Sequence, residues 1–144
     1  MKFDNLKIAE TYFEKERLIY LQKIKLLQEK YKNEKLDFSP ESLKSIEKIY
    51  FDFYENNKFN ENNISKNDFI KLLGIYNGFV YVKNEKAKWK IQKEVFASDN
   101  RYFLGIEING GFCFIDCSGI SHLEKLKNNK RRQSMYREYK KYSE

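Results

Sequence analysis

Residues 102–116 read YFLGIEINGGFCFID, and this stretch decides the fold. Tyr102–Ile108 and Phe112–Asp116 are short runs rich in aromatic and β-branched residues, too short for helices and bounded by turn residues. Asn109-Gly110-Gly111 stands between them, and residues that tolerate positive φ suit a tight hairpin. Just upstream, Ala87–Glu94 (AKWKIQKE) alternates, with Trp89 and Ile91 on one side and mostly lysines on the other, as a half-buried strand does. Three strands in sequence, joined by short connections, predict a small antiparallel sheet that ends at Ser118-Gly119.

Before the sheet the apolar period is helical. From Asp4 to about Glu34, Leu6, Ala9, Phe13, Tyr20, Ile24, Leu27 and Tyr31 recur as a broad stripe, with Tyr12, Ile19 and Leu26 beside it. Glu16, Lys23 and Lys30 occupy the positions a coiled-coil seam would need, so this helix is expected to pack within its own domain. Ser39-Pro40 starts a second helix that runs to about Asn56, its stripe made of Leu43, Ile46, Ile49, Tyr50 and Phe53. The asparagine-rich run 56–63 is a loop, because Asn side chains compete for backbone hydrogen bonds.

Ser65 and Asp68 open a third helix reaching about Val82, with Phe69, Leu73, Tyr76 and Val80 on one face. Gly74 and Gly78 inside it each cost about 1 kcal/mol relative to Ala, which predicts that another element approaches closely there, a ligand being the alternative. Past the sheet, Leu123, Leu126, Met135, Tyr136 and Tyr139 suggest one broken or two short basic helices. The expected architecture is therefore α+β: three N-terminal helices, a small three-stranded antiparallel sheet with helices over one face, and a C-terminal basic helix. At 144 residues, residues 1–144 are read as a single domain.

The chain carries 28 Lys and Arg against 21 Asp and Glu, a net charge of +7, which favours acidic partners. From Ser121 onward eight cations face three anions, so most of the excess lies at the C-terminal end. Lys127, Lys130, Arg131, Arg132 and Arg137 are the candidate partner-binding residues, suited to phosphate, anionic lipid or an acidic protein surface. The competing reading is a solvated helix face. Lysine outnumbers arginine 23 to 5, a bias of composition more than of recognition, since bidentate contacts favour Arg. Lys130-Arg131-Arg132 and Arg137 with Tyr136, Tyr139 and Tyr142 mix cations and rings as single-strand binders do, although the tyrosines equally suit a core stripe. Gly111-Phe112-Cys113-Phe114 has two aromatics on a strand but lacks the basic start of an RNA-recognition motif.

Catalytic signatures do not emerge. The glycines form no phosphate-binding loop, and Ser118-Gly119 is turn chemistry without the flanking glycines of a nucleophile elbow. Cys113 and Cys117 are expected to be reduced, buried strand thiols, because four residues along a strand span about 13 Å. With His122 the pair falls short of a zinc set even if Asp116 is added. A Cys117/His122 pair is the remaining nucleophilic arrangement, and Asp52/Glu55 or Asp116/Glu107 read as ion pairs or solvated groups. The expectation is a protein that is not an enzyme, with no cofactor and no metal. No apolar run approaches the roughly 18 residues of a membrane span, and MKFDNLKIAE lacks a secretory leader's apolar core, so a cytoplasmic protein with no membrane partner is expected.

The run Gly74-Ile75-Tyr76-Asn77-Gly78-Phe79-Val80, followed by Trp89 on a strand and a closing helix, resembles a pattern in small uncharacterised bacterial α+β proteins. Some of these resemble immunity proteins encoded beside secreted antibacterial toxins. The likeness spans Ser65 to Tyr142, departs at Phe79 where the pattern prefers Glu, and carries no catalytic residue. It implies an inhibitor that occludes another protein, a toxin or a defence-system component. The alternative is a nucleic-acid-binding module built on the basic segment.

Overall fold

The computed structural model describes residues 2–94, 100–125 and 133–143. Helix α1 (Leu6–Lys30) begins where the Asn5 side chain accepts the Ile8 N–H at 3.0 Å, two residues later than the expected Asp4. It ends four residues before Glu34 because Gln28 ties the following turn together. The Gln28 amide donates to the carbonyls of Tyr31 (3.2 Å) and Glu34 (2.6 Å), and its oxygen accepts the Leu36 N–H at 2.7 Å. Ala9, Phe13, Tyr20, Ile24 and Leu27 face inward as the stripe requires. Leu6, Ile19 and Leu26 depart from it, standing 45%, 56% and 58% exposed. Glu16 takes an inward place instead, paired with Lys71 at 2.7 Å, so an acid is buried where its cation reaches it.

Helix α2 (Ser42–Glu55) follows a turn in which Ser39 Oγ accepts the Ser42 N–H at 3.2 Å, and α3 (Lys66–Asn84) starts where Ser65 Oγ accepts the Asp68 N–H at 3.0 Å. The two helices build the centre of the core. Phe53 and Phe69 meet edge to face at 4.9 Å, and Tyr76, fully buried, donates its hydroxyl to Ser42 Oγ at 2.6 Å. The same hydroxyl accepts the Phe38 N–H at 3.2 Å, so this buried group is matched both as donor and as acceptor, as burial demands.

Strands β1 (Lys88–Lys93), β2 (Tyr102–Ile108) and β3 (Gly111–Phe114) form an antiparallel sheet in the order β1-β2-β3. Ile108 pairs with Gly111, so the turn is Asn109-Gly110 alone, with φ of 53° and 80°; positive φ at both positions defines the type I′ hairpin. β3 stops at Phe114, two residues short of the expected Asp116, because Ile115 leaves the sheet to cross α3. That crossing explains the first helical glycine: a Cβ at Gly74 would lie 2.5 Å from the Ile115 carbonyl oxygen. At Gly78 a Cβ would lie 2.4 Å from the Trp89 ring, so the expected close approach holds at both positions. Trp89, Ile91, Tyr102, Leu104 and Ile106 share the sheet face that meets α1 and α3, with Arg17 of α1 4.8 Å above the Trp89 ring.

A 3₁₀ turn (Ser118–Leu123) buries Ile120, and α4 (Ser134–Ser143) buries Met135 and Tyr139; Leu126 lies outside the described residues. Both cysteines are free, but the expectation of two buried strand thiols fails at Cys113, which is exposed because β3 is an edge strand. Cys117 lies beyond the strand and is partly buried.

Candidate interaction surface

Successive side chains on a strand point to opposite faces, so with α1 and α3 taking one face, the register decides what the other displays. Lys88 of β1 pairs with Glu107, which pairs with Phe112; Lys90 pairs with Gly105, which pairs with Phe114; Gln92 pairs with Phe103. Three phenylalanines therefore converge on the outward face. Phe112 and Phe114 meet at right angles with centroids 5.0 Å apart, and Phe103 meets Phe114 at 6.0 Å. Gly105 is the seat of this cluster, for a Cβ there would lie 2.4 Å from the Phe112 ring. Phe114 remains 67% exposed. Beside the rings Lys90 pairs with Glu107 at 2.7 Å, which holds the Glu107 carboxyl below the usual range.

An aromatic cluster turned outward on an edge strand is the composition of a binding hot spot. Sequence reasoning placed Phe112 and Phe114 on a strand but missed Phe103 and the lysines as their neighbours. The available signal was that β2 and β3 carry large apolar residues on both parities, as strands do when both faces have something to contact.

Among the candidate partner-binding residues, Lys127, Lys130, Arg131 and Arg132 lie outside the described residues. Arg137 is exposed on α4, near Lys140 and Lys141 in sequence, which are exposed as well. The tyrosines of that segment do not form a shared stacking surface. Tyr139 is 2% exposed and donates its hydroxyl to Glu85 at 2.6 Å, Lys44 covers Tyr136 at 4.2 Å, and Tyr142 faces solvent.

The nucleophilic candidate is not organised for attack either. His122 is exposed on the 3₁₀ turn, while burial, then the neighbouring Asp116 charge, push the Cys117 thiol up to about 12. A thiol kept protonated at neutral pH is a poor nucleophile. Among the described residues no three His, Cys, Asp or Glu side chains gather to hold a metal. Asp52 accepts from Tyr31 (2.6 Å), Asn56 (2.7 Å) and Lys58 (2.8 Å), so it ties α1 to the end of α2.

Two clefts flank the chain where it crosses α3. One, of about 760 Å³, lies between the sheet's inner face, α3 and α4; the other, of about 720 Å³, lies between α1, α3 and β2. Residues Phe114 to Cys117 line both, as a common wall.

These features describe a small α+β protein with helices on one sheet face and an open aromatic platform on the other. By sequence the chain belongs to the family described as uncharacterised protein YwmA, whose model matches residues 2–143. No curated protein and no solved structure matches it. Among the described residues no helix is long and apolar enough to cross a membrane.

Proposed function

We propose that the chain is a small cytoplasmic protein-binding inhibitor, immunity-like in logic, which occludes a toxin or a defence-system component. The observation that carries this reading is the outward cluster of Phe103, Phe112 and Phe114, with Phe114 67% exposed at the sheet edge. Buried aromatic anchors supply much of the affinity of a protein complex, and an exposed cluster is such an anchor awaiting its pocket. The net charge of +7 suits a partner with an acidic surface.

The immobilised chain, incubated with extract of its native cell and washed at about 0.3 M salt, is expected to retain a stoichiometric protein; a contact with an apolar centre survives such salt. Phe114→Lys changes a solvent-facing side chain and should abolish retention. Recovery of no stoichiometric protein, or undiminished recovery by the variant, would reject the proposal.

A second reading, a nucleic-acid-binding module, is supported by Lys88 and Lys90 beside the rings and by Arg137 on α4. It predicts binding to single strands that weakens steeply with salt and falls when Arg131, Arg132 and Arg137 are replaced together by Ala.

A further inference from the structure

Helix α1 is apolar on two sides. Ala9, Phe13, Tyr20, Ile24 and Leu27 pack inward, yet five of the seven exposed large apolar side chains among the described residues also belong to it: Leu6, Ile8, Leu18, Ile19 and Leu26. Exposed leucines scattered singly need no explanation, whereas several on one side of one helix do. By the helical period, Ile8, Leu18, Ile19 and Leu26 fall within a sector of about 100° turned away from the buried stripe, and they extend along about 27 Å of the helix. α1 meets α3, β1 and β2 through its other side, so this sector faces solvent.

Lysines interleave the aliphatics. Lys7, Lys15 and Lys25 are exposed in the same sector, where Glu29 is the one acid. Beyond its two edges Glu10 and Glu14 are balanced by Lys23 and Lys30, and Arg17 is turned inward over Trp89. In a protein groove these ammonium groups would be stripped of water, and a second copy of the chain would also set lysine against lysine. At a bilayer surface neither cost arises. The aliphatic tips enter the acyl boundary, the lysine stems carry their charge out to the headgroups, and anionic lipid phosphates supply the opposite charge. The net charge of +7 adds attraction from a distance.

We propose that the outward side of α1 docks the protein on an anionic lipid bilayer, with the helix lying in the plane of the headgroups. A helix placed so needs no spanning run, and the expectation of no membrane partner, drawn from spanning runs, does not bear on it. The site is separate from the outward rings of the sheet and depends on no protein partner.

Pelleting of the full chain with extruded vesicles tests it, comparing equimolar phosphatidylglycerol and phosphatidylcholine with phosphatidylcholine alone. The chain should pellet with the anionic vesicles at about 0.1 M salt, stay in solution with the neutral ones, and be released at about 0.5 M salt. Leu18→Ser with Ile19→Ser leaves every charge in place and should weaken binding about tenfold or more; Lys15→Gln with Lys25→Gln should do the same by lost attraction. All four positions face solvent, and circular dichroism checks that both variants fold. No pelleting with anionic vesicles, even if soluble polyglutamate binds, overturns the proposal, as does equal pelleting with neutral vesicles. Undiminished pelleting of the serine variant overturns it too, since the basic C-terminal segment would then account for the binding.

Discussion

A methyl group at Gly74 has no space to occupy. Alanine is the better helix former by about 1 kcal/mol, yet its Cβ would sit 2.5 Å from a backbone oxygen that has no rotamer to escape into. Steric overpacking against backbone outweighs the propensity gain, so Gly74→Ala is expected to lose about 1–3 kcal/mol in urea denaturation. Gly119 is the control, because a Cβ there meets nothing within 4 Å and the change should stay within about 0.5 kcal/mol. Equal midpoints for the two variants would refute the close crossing of α3 by Ile115. The glycine pair was legible as a demand for proximity because two helix-weakening residues four apart need a compensating cause. Which residue comes near was not legible, since Ile115 and Trp89 reach α3 only after the chain has folded back on itself.

At the level of elements, α4 shows how one buried side chain can decide where a helix is held. Glu47 of α2, 2% exposed, accepts the Ser134 N–H at 2.9 Å, the Met135 N–H at 3.3 Å and the Ser134 hydroxyl, so its carboxylate fills the N-terminal end of α4. Glu47→Ala leaves those donors without their acceptor and should cost about 1–3 kcal/mol, with the amides of Ser134 and Met135 exchanging faster than those of α3. Unaltered exchange at the two amides would contradict this anchoring. Nothing in the local sequence announces the contact, which joins residues 87 positions apart. Patterns repeating within a segment were readable: the alternation around Trp89, the Asn109-Gly110 turn and the Ser65 cap are each set by neighbours in the chain. The ends of α1 and β3 were not, being fixed by Gln28 reaching forward and by Ile115 leaving the sheet. The aromatic platform escaped notice for the same reason, since Phe103 and Phe114 become neighbours only through strand pairing.

For the whole molecule, pH acts through opposed groups. The Ser39 hydroxyl holds the Asp37 carboxyl low, and although burial pushes Asp52 up, Lys58, Tyr31 and Asn56 together hold it below the usual range. A carboxylate with a lower pKa in the folded state stabilises the fold above its unfolded value, near pH 4, and this contribution disappears as pH falls through the folded value. Burial raises Glu47, so its share runs the other way: the cost of keeping it charged is present above its folded pKa and is relieved on acidification. Asp52→Asn should therefore flatten the loss of stability between about pH 5 and pH 2. A variant whose urea midpoint falls with acid as steeply as the parent's would remove Asp52 from this account. Size matters as much as charge at this scale. The four residues from Phe114 to Cys117 serve two chambers as a party wall, backed by a helix that is bare of a side chain at Gly74. Room gained in one chamber by shifting that partition is surrendered by the other, so the two hollows trade volume.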